Sequence, residues 1–255
     1  MIIVISPAKT LDFKTKPGIE EYTLPQFTDK SGIIAGELKK YSPAKLEKLM
    51  KISSKLANLN YERYRDWRLP FTPDNSKLAL FAFKGEVYTG LDSATMTAEE
   101  IYFAQTHLRI LSGLYGILRP LDLIQPYRLE MGTPLKIGQY KDLYDFWGDS
   151  LTKNLEKELK KGEDKTLVNL ASNEYFKAID SLKQKVRIIT PVFKDYKNGT
   201  YKFLSVYGKK ARGLMTRFII SNEITDPENL KLFDWEGYFY NEKMSVGDEW
   251  VFTRG

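Results

Sequence analysis

Several short polar clusters in this chain follow apolar runs, and one of them stands close to residue 1. Met1 to Ile5 is an apolar run rich in β-branched residues, and Ser6-Pro7-Ala8-Lys9-Thr10 follows it at once. Such a run predicts a buried strand, and Pro7 ends it because proline cannot continue a central strand. Lys9 therefore stands just past the carboxyl end of a strand, where open α/β sheets bind their ligands. A solvated lysine after an ordinary first strand fits the same pattern.

A second group of cations lies at Lys209-Lys210-Ala211-Arg212, with Arg217 nearby. These residues follow a strand predicted to end at Tyr207, and they open a helix predicted over 209–222. The exposed N–H groups and the positive dipole end of a helix N-terminus attract anions. Because cations in that turn oppose the dipole, the pattern favours an anion beside them. A surface helix with an apolar stripe explains the same residues equally well.

The formal charge of +6 is unevenly spread along the chain. Residues 39–68 carry nine Lys or Arg residues and three acids, whereas residues 221–255 carry eight acids and three bases. Such polarity creates a local field that can hold a polyanion. Most charge runs are solvated helix surfaces, but aromatic residues interleave with the bases here and add weight to nucleic-acid binding. These aromatic residues are Tyr41, Tyr61, Tyr64 and Trp67.

Within this basic segment, Leu56-Ala57-Asn58-Leu59-Asn60 separates helices predicted over 43–57 and 61–67. A helix-hairpin-helix turns the backbone amides of its connector toward a DNA phosphate, and glycines allow the close approach. Asn58 and Asn60 stand where those glycines would be, and Asn is the best non-glycine residue in the left-handed conformation. The cations that could neutralise neighbouring phosphates are Lys51, Lys55, Arg63 and Arg65. A plain αα-hairpin is the alternative.

The composition excludes several kinds of chemistry. The chain has no cysteine, which excludes disulfides, thiolate metal sites and cysteine nucleophiles. His107 is the single histidine, so neither a Cys/His cluster nor a two-histidine metal site can form. A capping box of Thr97 and Glu100 starts the helix predicted around His107, which we interpret as a structural residue. We therefore expect no metal and no cofactor.

Sequence motifs and hydropathy exclude further classes of protein. There is no P-loop, dinucleotide-binding fingerprint, nucleophile elbow or EF-hand loop. No apolar run approaches the 18 residues of a membrane span, and the first strand lacks the basic region and cleavage site of a signal peptide. These absences predict a cytoplasmic protein with no membrane partner.

Apolar periodicity and turn residues predict alternating strands and helices. The predicted strands are 2–5, 78–83, 167–171, 186–192, 201–207, 237–241 and 249–253. The predicted helices are 30–40, 43–57, 61–67, 97–112, 141–161, 172–180, 209–222 and 227–233. A hairpin is predicted at Asn198-Gly199, the preferred residue pair of a type I′ turn. Mixed strand pairing follows, so we predict an α/β (mixed α+β) fold in which helices surround a mixed sheet, in a single domain over 1–255.

Seven groups of residues spread over the chain resemble one known family. They are Ser6–Asp12, Phe83–Leu91, Leu111–Gly116 with Leu118–Asp122, Tyr127–Gly132, Phe146–Asp149, Asn169–Ser172 and Lys209–Gly213. Together they resemble the bacterial peroxide-stress protein YaaA family. The resemblance implies a cytoplasmic protein of the hydrogen-peroxide response that keeps free iron low and limits oxidative DNA damage. It also implies duplex and junction DNA binding, a positively charged cleft, the cantaloupe fold, and a helix-hairpin-helix that we place within 43–68.

We expect a DNA-binding protein whose contacts are mainly to phosphates, so that it recognises shape rather than sequence. The residues expected to contact DNA are Lys51, Lys55, Asn58, Asn60, Arg63, Arg65, Lys209, Lys210, Arg212 and Arg217. One alternative is an enzyme that acts on a small anionic or phosphorylated substrate in a pocket lined by Lys and Arg. Another is a protein-interaction module that uses the acidic carboxyl-terminal segment.

The enzyme alternative has its own candidate residues. They are Lys9, Arg128, Glu130, Lys209 and Arg212. Glu130 could act as an acid or base, and a lysine desolvated beside other cations could be a nucleophile. If the strands before Lys9 and Lys209 are neighbours, the two lysines converge, with Arg128 supplied by a long loop over 113–140. Converging cations need an anion or a carboxylate between them.

Overall fold

The computed structural model describes residues 1–15, 17–162 and 164–255. Its strands are β1 (Ile2–Ile5), β2 (Thr10–Leu11), β3 (Lys77–Leu78), β4 (Phe83–Lys84), β5 (Leu108–Ser112), β6 (Gly116–Leu118), β7 (Leu123–Ile124), β8 (Leu167–Leu170), β9 (Ile188–Lys197), β10 (Thr200–Lys202), β11 (Phe239–Tyr240) and β12 (Glu249–Arg254). Its α-helices are α1 (Thr28–Leu38), α2 (Pro43–Met50), α3 (Ser54–Asp66), α4 (Ala79–Ala82), α5 (Glu86–Leu91), α6 (Ala98–His107), α7 (Leu143–Trp147), α8 (Ser150–Leu159), α9 (Asn173–Phe176) and α10 (Ser205–Ser221). Short 3₁₀ helices cover Ser93–Thr95, Lys177–Gln184, Pro227–Leu232, Trp235–Gly237 and Glu242–Met244.

A mixed sheet with the strand order β11-β12-β9-β8-β1-β5-β6 forms the centre, and β10 pairs with β9 at its side. The four inner pairs β12/β9, β9/β8, β8/β1 and β1/β5 are parallel, whereas β5/β6, β11/β12 and β9/β10 are antiparallel. β1 and β8 are buried along their whole length, as parallel strands covered on both faces are. The prediction of a mixed α/β sheet flanked by helices is confirmed, and the sheet does not close into a barrel.

The hairpin turn and the helix cap that the sequence predicts are both present. Asn198 and Gly199 both have positive φ and join β9 to β10 as a two-residue loop, which confirms the hairpin. Thr97 and Glu100 form the complete capping box at the start of α6. Both signals are local, because the turn needs φ > 0 and the helix start needs acceptors for its free N–H groups.

Two apolar runs differ from their predicted structure. Residues 97–112 are not one helix, because α6 ends at His107 and Leu108–Ser112 continues as β5 beside β1. Residues 78–83 are not one strand either, since the short helix α4 separates β3 from β4. A short buried apolar run satisfies a helix and a strand alike, so the tertiary neighbours decide between them.

The helical hairpin in the basic segment also differs from the prediction. Its connector is Lys51-Ile52-Ser53 between α2 and α3, and Lys51 has a φ of 51°. Asn58 and Asn60 lie inside α3, where each side-chain amide donates to the carbonyl four residues earlier at 2.8 Å. The predicted connector at 56–60 is therefore wrong, because the amides of this stretch lie within a continuous helix rather than in a turn. We call residues 43–66 the α2–α3 hairpin.

A pair of glycines brings α5 and α10 into backbone contact. A Cβ atom on Gly90 would lie 2.2 Å from the Lys210 carbonyl oxygen, and one on Gly213 would lie 1.9 Å from the Val87 carbonyl oxygen. No other residue type fits at either position without moving a helix. Helix α10 begins at Ser205, four residues earlier than predicted, so its cationic cluster lies beyond the first turn and not at the dipole end.

None of the helices in the described ranges has the length and apolar character that a bilayer crossing requires.

Candidate functional site

A cavity of about 410 Å³ lies where β1 and β8 end, and all five catalytic candidates line it. Its lining residues are Ser6, Pro7, Ala8, Lys9, Thr10, Lys84, Gly85, Glu86, Val87, Tyr88, Tyr127, Arg128, Leu129, Glu130, Ser172, Glu174, Tyr175, Lys209 and Arg212. We call it the cationic cavity, since five of these residues are Lys or Arg and three are acids. This volume is within the range of small-molecule sites.

The ends of the two central strands form one wall of the cavity. The Ser172 amide donates to Ser6 Oγ at 2.9 Å, and the Ser6 carbonyl accepts from the Tyr88 hydroxyl at 3.1 Å. These bonds join the end of β1 to the end of β8 and to α5. The pairing of Thr10 with Lys84 between β2 and β4 then brings a second lysine beside Lys9.

Glu130 stands between two of the cations. Its Oε1 atom is 2.7 Å from Lys9 Nζ and 3.2 Å from a terminal guanidinium nitrogen of Arg128. Such a carboxylate allows two like charges to lie close together. The Arg128 carbonyl accepts a hydrogen bond from the buried hydroxyl of Tyr64 on α3, so the α2–α3 hairpin also supports this loop.

Two arginine groups in the cavity lack partners in the described part of the chain. The Nε of Arg128 is buried and has no acceptor there. The half-buried Arg212 guanidinium forms no hydrogen bond or ion pair with a described residue and lies 6.0 Å from the Phe203 ring. Burial lowers the pKa of Arg212, which is the expected direction when no neighbouring anion offsets the lost hydration. An anionic ligand would supply the missing acceptor.

Three buried tyrosines form an aromatic part of the lining. Burial raises the pKa of Tyr88, Tyr127 and Tyr175, so these side chains are neutral phenols at neutral pH. The Tyr127 hydroxyl shares a 2.7 Å hydrogen bond with Ser112 Oγ. Beside Tyr175, Glu174 accepts from the Gly132 amide at 2.9 Å and holds the loop after Glu130. The cavity therefore combines cations with neutral aromatic rings and carboxylates.

The structure brings the candidates together by a route that the sequence did not predict. The strands before Lys9 and Lys209 are not neighbours, because β9 and β8 lie between β10 and β1. Lys209 and Arg212 reach the cavity through the contact of α10 with α5 at Gly90 and Gly213. This contact depends on two helices that are distant in sequence.

The remaining cations expected to contact DNA fall into two groups. Lys51, Lys55 and Arg65 are exposed on the α2–α3 hairpin, where none of them forms an ion pair with a described residue. Arg63 is less exposed and donates to Asn60 Oδ1 at 3.3 Å, and Asn60 itself is buried. The buried position of Asn60 gives no support to its predicted contact with DNA, which stays a prediction.

Arg217 and Lys210 have carboxylate partners instead of open surroundings. Arg217 is 14% exposed, and its guanidinium donates to Glu100 and to the backbone that follows α5, as well as to Ser221. This network uses the N–H groups of Arg217 within the described structure, so it gives no support to the predicted DNA contact, which stays a prediction. Lys210 is half-buried and pairs with Glu236 at 2.5 Å.

Several cavity residues were not among the site residues predicted from the sequence. They are Glu86, Tyr88, Tyr127, Ser172, Glu174 and Tyr175. Ser172 follows β8 as Ser6 follows β1, so the strand-end argument applied to Lys9 would also have found it. The tyrosines gave no such signal, because an aromatic residue in a loop is as often a core residue as a binding residue.

The described ranges 1–15, 17–162 and 164–255 contain no group of three or more His, Asp or Glu residues arranged to hold a metal ion. His107 ends α6, where its Nδ1 lies 2.9 Å from the Met1 carbonyl oxygen and its ring stacks on Phe103.

Comparison with known proteins assigns the chain to a family over nearly its whole length. Residues 1–244 match the family model described as "Peroxide stress protein YaaA". A UPF0246 protein of Teredinibacter turnerae is 54% identical, one of Ralstonia nicotianae 55% and one of Hahella chejuensis 52%, each over 254 residues. Each alignment covers 100% of this chain and 99% of the relative.

Proposed function

Because the chain belongs to the peroxide stress protein YaaA family, we propose that it acts in the peroxide response by binding duplex and junction DNA through backbone phosphates. The observation that carries this proposal is the set of exposed, unpaired cations on the α2–α3 hairpin. They are Lys45, Lys48, Lys51, Lys55 and Arg65, and none forms an ion pair with a described residue. Surface lysines and arginines without carboxylate partners are what phosphate contacts need.

Side chains rather than the backbone amides of residues 56–60 would make most of these contacts. Helix α3 bonds its own amides through 56–60, so the cations that project from the helices are the groups left for phosphates. Such contacts carry no sequence information, and binding should be strongly salt-dependent. If about six phosphates are neutralised, affinity should fall on the order of 10³-fold between roughly 50 and 200 mM salt.

An electrophoretic titration of a random duplex and a four-way junction at those two salt concentrations tests the proposal. The variant Lys51→Glu/Lys55→Glu should weaken both complexes strongly. Lys161→Glu/Lys243→Glu makes the same change in net charge at exposed positions outside the hairpin and should affect binding much less. Absence of binding by the unaltered protein at micromolar concentration and low salt would refute the proposal. Equal losses of DNA affinity in the two variants would show that net charge alone determines binding, and would contradict the interface on the α2–α3 hairpin.

The family resemblance also implies limited oxidative DNA damage and a lower level of free iron. Coverage of DNA by a bound protein would account for the limited oxidative damage. We keep the effect on iron within the proposal and assign no residue to it.

The cationic cavity favours a second function, an enzyme that acts on a small anionic or phosphorylated substrate. Its support is the half-buried Arg212, which has no described partner inside a cavity of small-molecule size. Glu130 is the candidate acid or base, and Lys9 is the neighbouring amine. Calorimetric titration with inorganic phosphate tests the site. Saturable binding that Arg212→Met abolishes supports it, and no binding at millimolar phosphate contradicts it.

A further inference from the structure

We propose that the cationic cavity binds one nucleotide unit, with its phosphate on the cations of α10 and β4 and its base against the tyrosines. This inference deepens the second proposed function by naming the ligand class, and it does not depend on DNA binding by the α2–α3 hairpin. Lys84, Lys209 and Arg212 would hold the phosphate, and Tyr88, Tyr127 and Tyr175 would lie against the base.

The phosphate position follows from the unpaired cations. Lys84 and Lys209 are exposed at the cavity and form no ion pair with described residues, while Lys9 and Arg128 already share Glu130. Arg212 adds a planar guanidinium whose N–H groups have no described acceptor. Guanidinium and phosphate form paired, charge-assisted hydrogen bonds, so Arg212 with two lysines suits a phosphate dianion better than a neutral group.

The base position follows from the aromatic residues and the carboxylates beside them. Tyr88, Tyr127 and Tyr175 are neutral and buried, and all three line the cavity. Aromatic side chains bind nucleobases by stacking without regard to sequence. Glu130 accepts both of its ion pairs on Oε1, so its Oε2 is available within the described structure to accept from a base N–H. A simple anion would make no use of these groups.

Calorimetry with three probes tests the inference: deoxyadenosine monophosphate, deoxyadenosine and inorganic phosphate. We expect one nucleotide to bind per chain, with higher affinity than either fragment. Arg212→Met should weaken nucleotide binding by about tenfold or more, because a charge-assisted hydrogen bond is lost. Lys161→Met removes one positive charge outside the cavity and should leave the affinity unchanged. The exposed Lys209→Ala provides a second cavity variant if Arg212→Met fails to fold.

The outcomes separate the inference from the function on which it rests. If phosphate binds as tightly as the nucleotide, the inference is overturned and the small-anion site stands. If neither the nucleotide nor inorganic phosphate binds, the inference and the small-anion site are both overturned. Nucleotide binding unaffected in both cavity variants also overturns the inference, because the ligand then lies elsewhere.

A duplex that contains 2-aminopurine distinguishes two sources of the nucleotide. A rise in fluorescence with the unaltered protein that is lost in Arg212→Met identifies a nucleotide extruded from DNA. Binding of the free nucleotide with no rise in fluorescence identifies a free nucleotide as the ligand. Either result requires the cavity to hold the same chemical unit and therefore supports the inference.

Discussion

Substitution of Gly213 by alanine should separate two helices that both line the cationic cavity. A Cβ atom there would lie 1.9 Å from the Val87 carbonyl oxygen, whereas an ordinary contact begins at about 3.4 Å. Helices α5 and α10 must therefore move apart by about 1.5 Å, the difference between these distances. The clash is with backbone, so no side-chain rotation relieves it.

The loss of stability expected from this clash is partly offset by the higher helix propensity of alanine. Alanine is favoured over glycine in a helix by about 0.5–1 kcal/mol, whereas overpacking costs about 1–3 kcal/mol or more. Gly213→Ala should therefore lower the free energy of unfolding by up to about 2.5 kcal/mol, the net of these two effects. The same displacement moves Lys209 and Arg212 away from Lys84, so phosphate binding should weaken as well.

Gly36→Ala is the matched control. Gly36 lies in α1, and a Cβ atom there would have no neighbour within 4 Å. This substitution should raise the free energy of unfolding by about 0.5–1 kcal/mol. Urea denaturation of both variants measures the difference. If Gly213→Ala is as stabilising as Gly36→Ala, the helices are not in backbone contact and our account of the site is refuted.

Three further predictions concern charged residues. Glu130→Gln leaves the two neighbouring cations without their carboxylate, so calorimetry should show tighter binding of inorganic phosphate; weaker binding would contradict the role of Glu130 as an internal counterion. Arg217→Ala should lower the free energy of unfolding by about 1–3 kcal/mol, because Glu100 and several carbonyl groups lose their donor. The DNA affinity of the folded variant should stay unchanged. A loss of affinity in a DNA titration would show that Arg217 contacts DNA. Hydrogen bonds from the amides of Lys14 and Thr15 lower the pKa of Asp12 to about 2. Since this pKa is depressed in the folded protein, the stabilisation is present above the unfolded pKa near 3.8 and is lost as pH falls toward 2. The difference in urea stability between the unaltered protein and Asp12→Asn should shrink over that pH interval, and a constant difference would contradict the assignment.

Local signals in the sequence were sufficient for several elements. The apolar run before Ser6 is a buried central strand, Asn198-Gly199 forms the hairpin turn, and Thr97 with Glu100 caps α6. Each of these features depends on a few adjacent residues, because side-chain size, φ preference and a capping oxygen act over one turn or less. The same kind of argument placed Lys9 at the end of a strand, where the cavity lies.

Signals that suit more than one structure were decided by tertiary neighbours. Leu108–Ser112 fits a helical stripe, yet pairing with β1 makes it a strand. Asn58 and Asn60 suit a turn, yet their amides bond to helix carbonyls and α3 continues through them. Ser53, which caps α3, was the local signal for the true connector.

The sequence by itself determined the residue types of the site, and only the tertiary structure decided which of them meet. Lys210, Arg212 and Arg217 belong to one short basic run, yet Arg212 lines the cavity while the other two pair with carboxylates. The surroundings of these three side chains differ because successive positions on a helix point in different directions. Their partners come from segments that are remote in the sequence. The contact of Gly90 with α10 sets those directions, since its geometry depends on the packing of two helices that are more than a hundred residues apart.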